Sequence, residues 1–295
     1  MTLRRLFYTP TGPLRAVWRF SLFLVLLIVA VLLLGRVAGA IARPETFAGR
    51  QFFGFSIMLA AVAFAQFVML RLVEKRPWSE IGLGAAQAAP RFLGFGLALG
   101  GLGILLPSLG LMAAHWLVPA AATAASGTTA LFAVQMVALI LPQSLAEELV
   151  SRGYAFAAIR EGAGPVVAVA VTSAAFGALH LLNPGVDAQS LASVVLAGVF
   201  LGMLVIVTGS VYAAWMAHFA WNFVIVAVLH AKVSGVAFPR PGYTLTETGP
   251  AWITGGAWGP EGGAAACAGM LAAIAALAWW RRGTNGTAAL ELSNG

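Results

Sequence analysis

The stretch Glu147-Glu148-Leu149-Val150-Ser151-Arg152 sets two adjacent carboxylates and an arginine at the end of an apolar run, Leu131 to Ala146. An ionisable side chain at membrane depth costs roughly 2.5 kcal/mol or more, so its presence points to function. Glu148 and Arg152, at i and i+4, fit an ion pair on one helix face. Glu147 is left with the chemistry of a general base. Two later apolar runs are also interrupted by polar groups. Phe176-Gly177-Ala178-Leu179-His180 puts an aromatic ring and an imidazole one helical turn apart, and His218-Phe219-Ala220-Trp221-Asn222 puts an imidazole and a carboxamide on one face. Singly, a buried histidine or asparagine serves helix packing. Three such sites in neighbouring apolar segments must all find partners, and the nearest candidates are one another.

Spacing tests whether they meet. Glu147 and His180 are 33 residues apart, with their midpoint inside the turn-like Glu161-Gly162-Ala163-Gly164-Pro165. A hairpin folded there sets both residues roughly 25 Å from the turn at 1.5 Å per residue, and therefore level. The amphipathic stretch 151–160 then lies partly in the membrane or protrudes from it. His115 and His230, each at the end of an apolar run, read as interfacial.

The elements that carry these residues are membrane helices. Hydrophobic residues make up 60% of the 295 and charged residues 9%, with a mean hydropathy of +0.91, which soluble globular domains do not reach. Apolar runs at about 20–35, 52–70, 92–114, 130–146, 165–182, 188–208, 211–231 and 263–280 predict an all-α, polytopic membrane protein of about eight transmembrane helices around an intramembrane polar cavity. The first run reads as a span rather than a cleaved leader, because Arg36 intrudes before the cleavage-like Ala38-Gly39-Ala40. The net charge of +7 sits between the spans, where it orients helices and meets lipid headgroups, so nucleic acid is set aside as a partner. Of the 17 lysines and arginines, twelve fall in segments that lie inside if the N-terminus is inside, which predicts both termini in the cytoplasm. Gly96-Leu97-Ala98-Leu99-Gly100 and Gly198-Val199-Phe200-Leu201-Gly202 read as close-packing signals. The segment 232–262, rich in Pro, Gly and Trp, reads as an ordered surface loop, with a lid over a cavity as the alternative. Neither a second domain nor an internal repeat is visible, so 1–295 reads as a single transmembrane domain, with 131–231 as its motif-bearing core and 283–295 as a disordered tail. Cys267, the single cysteine, offers no disulfide framework.

Several hydrolase chemistries are excluded by residue type. Asp187 is the single aspartate, so an aspartyl dyad is impossible. His-Glu-x-x-His is absent, as are a rhomboid-like Gly-x-Ser-Gly and a Gly-rich phosphate loop. The ordered set that is present, Glu147-Glu148 with Arg152, Phe176 with His180, and His218 with Asn222, resembles the CPBP family of intramembrane peptidases. That family takes in CAAX prenyl endopeptidases and Abi-like bacterial proteins linked to bacteriocin processing and immunity. The resemblance covers roughly residues 131–231 and implies an intramembrane endopeptidase of the bacterial inner membrane, acting on a hydrophobic or lipid-anchored peptide among membrane lipids.

On that reading Glu147 takes a proton from a water shared with His180, and His218 and Asn222 stabilise the tetrahedral oxyanion. Glu148, Arg152 and Phe176 support them. The preferred form needs no cofactor, because a carboxamide suits an oxyanion better than zinc. The competing form is a metalloprotease with Glu147, His180 and His218 holding a divalent metal such as zinc. Two readings from other classes remain: a proton-coupled transporter, given intramembrane charges, and a non-catalytic immunity or scaffold protein.

Overall fold

The structure is a computed structural model that describes residues 7–8, 14–121, 128–239 and 242–293, with side chains to 282. It is built of helices: α1 (Ala16–Ile41), α2 (Phe47–Phe67, continued as a π-helical turn Val68–Val73), α3 (Pro90–Ala113), α4 (Thr129–Arg152), α5 (Tyr154–Leu179), α6 (Ala188–Thr208), α7 (Val211–Phe223, continued as a π-helical turn Val224–Val228) and α8 (Ala264–Ser293). Among the described residues, the sheet is a single antiparallel ribbon, β1 (Leu117–Ala121) with β2 (Tyr243–Glu247), registered Leu117↔Glu247 to Ala121↔Tyr243. Among the described residues, seven helices are long and apolar enough to cross a membrane, and an eighth apolar helix, Pro165–Leu179, is shorter. The fold is all-α and polytopic, with every expected apolar run in a helix. The fifth run is the exception in length, since its 15 residues reach only about 22 Å at 1.5 Å per residue.

The connection between α4 and the far end of α5 differs from the single hairpin expected. The chain breaks twice. Gly153 ends α4 in a non-helical conformation where a Cβ would lie 2.4 Å from the Leu149 carbonyl and 2.5 Å from Gln66 Nε2, so only glycine fits. Gln66 Nε2 donates to that same carbonyl at 2.9 Å and satisfies the helix end. Gly164, at φ 85°, then turns the chain into Pro165. The intervening limb, Tyr154 to Ala163, contains most of the amphipathic stretch 151–160 left undecided above. It is held by ions: Arg19 of α1 bridges Glu74, just beyond α2, at 2.6 Å and Glu161 at 2.8 Å, and Arg76 reaches Glu161 at 2.8 Å.

Close helix contact follows the small-residue patterns. A Cβ on Gly96 would lie 2.1 Å from the Ala213 carbonyl, and one on Gly100 2.0 Å from the Ala217 carbonyl, so α3 lies backbone against backbone on α7. Gly198 of α6 abuts Ser173 of α5 in the same way. The helix α6 starts from a capping box in which Asp187 Oδ1 accepts Ser190 N–H at 2.7 Å and Ser190 Oγ accepts Asp187 N–H at 2.8 Å. At the other end of the chain α8 carries helical backbone to Ser293, across most of the expected tail 283–295. Good helix formers such as Ala288, Ala289, Leu290 and Glu291 favour this, and residues 294–295 lie outside the described residues.

Candidate functional site

Four elements converge inside the bundle: the C-terminal turns of α4, the end of α5, the middle of α7, and the segment between α7 and α8. Glu148 and Arg152 are wholly buried and paired, Nη1 to Oε1 at 3.1 Å. Arg152 Nη2 donates to the Gly198 carbonyl at 2.9 Å, and its guanidinium carbon stands 4.6 Å from the centre of the Phe176 ring. The aromatic of Phe-x-x-x-His therefore lies on the arginine, with the His180 ring 4.8 Å away and the His218 ring 5.8 Å away. Such stacking holds a cation with little water present.

Glu148 does more than pair with Arg152. Its Oε1 accepts from Nδ1 of His218 at 2.9 Å. A carboxylate that only accepts puts the proton on Nδ1 and turns Nε2 outward. That Nε2 stands 3.7 Å from Glu147 Oε2. Glu147 is itself aimed by Gln143, one turn earlier, whose Nε2 donates to Oε1 at 3.1 Å. The sequence reading paired Glu147 with His180. Among the described residues no hydrogen bond or ion pair joins those two, and the imidazole that meets Glu147 is His218. The two helix breaks, at Gly153 and Gly164, replace the single turn on which the level pairing rested.

His180 ends α5, and its Nδ1 lies 2.8 Å from the Phe176 carbonyl, one turn back. A carbonyl only accepts, so this nitrogen carries the proton and Nε2 keeps its lone pair. His180, His218 and Asn222 all line one cavity of about 40 Å³, whose walls also include Ser234, Glu261 and apolar side chains such as Phe176, Val194, Phe200 and Leu201. That volume admits one or a few waters. Asn222 is 6% exposed, and among the described residues its carboxamide has no hydrogen-bond partner, which leaves it for a ligand in the cavity.

The donor set does not suit a metal. Among the described residues no three His, Cys, Asp or Glu side chains group closely enough to hold an ion, the proposed Glu147, His180 and His218 included. Each imidazole also has Nδ1 engaged by its own protein partner.

Of the remaining histidines, His115 is exposed as expected of an interfacial residue, but His230 is buried. Its Nδ1 meets the Tyr243 carbonyl at 2.9 Å and its ring stacks on Tyr243. The 232–262 segment is not a plain surface loop, since Ser234 and Glu261 line the cavity and Trp258 is buried behind them. Sequence reasoning missed Gln143 and Glu261. The signal was present for the second: Glu261 is one of only ten acidic residues and stands beside the last apolar run, the same anomaly that singled out Glu147.

A bundle of membrane-length helices that gathers carboxylates, imidazoles and a carboxamide beside an interior cavity describes an integral membrane protein with a polar interior site. The family model described as Rce1-like, type II CAAX prenyl endopeptidase, matches residues 129–224. That stretch, which holds every motif residue from Glu147 to Asn222, is similar to this family of CAAX-type intramembrane proteases. No curated protein and no solved structure matches the chain.

Proposed function

We propose that this protein is an intramembrane endopeptidase that hydrolyses a peptide bond of a hydrophobic or lipid-anchored substrate with a water activated by Glu147 and His180. The observation that carries the reading is the shared cavity of His180, His218 and Asn222, with Glu147 3.7 Å from the open nitrogen of His218. Glu147 accepts a proton from water while the Nε2 lone pair of His180 holds and orients it. The oxygen attacks the scissile carbonyl, and the oxyanion is met by His218 Nε2 and the Asn222 carboxamide. Each such donor is worth roughly 3–4 kcal/mol in hydrolases. Glu147 then passes the proton to the leaving amine.

Charge balance favours this division of roles. Glu147 and Glu148 as anions, Arg152 as cation and His218 as imidazolium sum to zero in a medium that penalises net charge. When Glu147 takes up the proton, the substrate oxyanion replaces its charge, and the sum stays zero. The imidazolium is required because Nδ1–H is already given to Glu148, so Nε2 donates only if it too is protonated. No metal enters, in keeping with the scattered donor set. The apolar walls suit a lipid-adjacent peptide. The lysine and arginine bias supports both termini on the cytoplasmic side of a bacterial inner membrane.

The test is hydrolysis of a lipid-anchored peptide by the purified protein in detergent, with products identified by mass. Glu147→Gln should abolish cleavage while the protein stays folded. Full activity in both Glu147→Gln and His180→Ala refutes the hydrolase reading and leaves a scaffold or transport role.

A further inference from the structure

Glu261 is a buried carboxylate on the wall of the same cavity, outside the matched residues, and the chemistry above makes no use of it. Every group that touches its oxygens is a donor. Oε1 accepts from Ser234 N–H at 2.6 Å, Ser234 Oγ at 2.8 Å and Trp258 Nε1 at 3.1 Å, and Oε2 accepts from Trp221 Nε1 at 3.0 Å. A carboxylate so occupied is not free to shuttle a proton; it is an anchor.

What it anchors lies on both sides of the cavity. Trp221 stands on α7 next to Asn222 and three residues after His218, so holding its indole holds the face that carries both. On the other side, the Ser234 carbonyl accepts from Asn183 Nδ2 at 3.2 Å, and Asn183 N–H donates to the His180 carbonyl at 3.1 Å. A continuous hydrogen-bonded path thus runs from His180 through Asn183, Ser234 and Glu261 to Trp221. Ser234 is in the left-handed region at φ 49°, a conformation that serine keeps only where its surroundings impose it, and its two bonds to Glu261 do so. A bond from a surface loop to one helix would have needed none of this.

We propose that Glu261 is a positioning residue, the central acceptor of a brace that sets the separation between His180 on one side and His218 with Asn222 on the other. It thereby holds open the room in which the tetrahedral intermediate forms. The proposal rests on the peptidase reading for its kinetic consequence but not for its structural one.

Two measurements on the full-length protein in detergent test it. In peptide hydrolysis, Glu261→Gln puts an amide donor against an indole or serine donor, and kcat should fall about 100-fold, as for other small misplacements of catalytic groups, with KM changed less than about twofold. Trp221→Phe, which removes only the α7 end of the brace, should lower kcat in the same direction, and the double variant should be no worse than Glu261→Gln alone. In the second, imidazole ¹⁵N resonances are followed in protein labelled at its four histidines. Glu261→Gln, or Trp221→Phe if the first does not fold, should shift both His180 and His218 and leave exposed His115 unmoved. Wild-type kcat in these variants, or resonances of His180 and His218 that do not both move, overturns the brace. Should Glu147→Gln prove as active as wild type, the peptidase reading falls, and the resonances alone decide the brace.

Discussion

His218 Nδ1 lies 2.9 Å from Oε1 of Glu148, a carboxylate with no exposed side-chain surface. That contact ties the fate of the candidate oxyanion donor to the second of the two adjacent glutamates. The first, Glu147, meets the opposite nitrogen at 3.7 Å. The pair thus divides into one residue that stands near Nε2 of the imidazole and one that holds its Nδ1.

Glu147→Gln and Glu148→Gln should therefore fail differently. The first keeps a side chain able to accept from Gln143 and leaves the buried ion pair intact, so it should lose hydrolysis with an unfolding temperature near wild type. The second strips a wholly buried Arg152 of its counter-ion, a change that costs about 3–5 kcal/mol. Thermal unfolding in detergent, run beside the peptide assay, separates the two. Glu147→Gln should still show the larger loss of activity per folded molecule.

Asn222→Ala removes a carboxamide that has no partner among the described residues, so the fold should barely notice. The kinetic loss should be about 10²–10³ in kcat with KM little changed, the usual size for one oxyanion donor. Equal losses in kcat and in stability would assign Asn222 to packing instead.

Gly100→Ala tests the scaffold rather than the chemistry. The added methyl would stand 2.0 Å from the Ala217 carbonyl, one residue before His218, and must push α3 and α7 apart. Overpacking of this kind costs about 1–3 kcal/mol. Activity should fall with it because α7 carries two of the candidate catalytic groups, and the same change at Gly94, where a methyl meets nothing within 4 Å, should be silent.

Hydrolysis should survive a strong chelator, and elemental analysis of the active protein should find no stoichiometric metal. Loss with chelator and rescue by zinc would restore the metalloprotease reading and require Glu147, His180 and His218 to draw together around an ion.

Glu247, on β2 and outside the membrane-length helices, should leave a mark on stability against pH. Burial pushes its carboxyl up from the ordinary value, opposed by Thr254 Oγ1, which donates to it at 2.9 Å. An acid raised in the folded state stabilises the fold while pH stays below the ordinary carboxylate range and loses that contribution as pH climbs through the raised value. The unfolding temperature should drop across that window, by a small amount because the residue is half-exposed, and Glu247→Gln should flatten the profile.

The reach of the sequence shows in particular residues. Hydropathy period and length were enough for the helices, because a backbone in lipid has few other ways to satisfy its polar groups. The i, i+4 rule was enough for Glu148 with Arg152 and for the shared face of His218 and Asn222, because helix geometry is local. Gly96 and Gly100 announced a close contact, but not that α7 would be the partner.

Everything that depended on two chain breaks in tandem was decided by tertiary structure. Gly153 turns where it does because Gln66, 83 positions before Leu149, reaches the Leu149 carbonyl in the last turn of α4, and no local pattern carries that information. The break left His218 as the imidazole beside Glu147 and made Glu148 the ligand of an imidazole as well as of an arginine. Glu261 is the same lesson from the other end of the chain. Its scarcity was written in the sequence, but its four donors come from Trp221, Ser234 and Trp258, and only folding brings those side chains around one carboxylate.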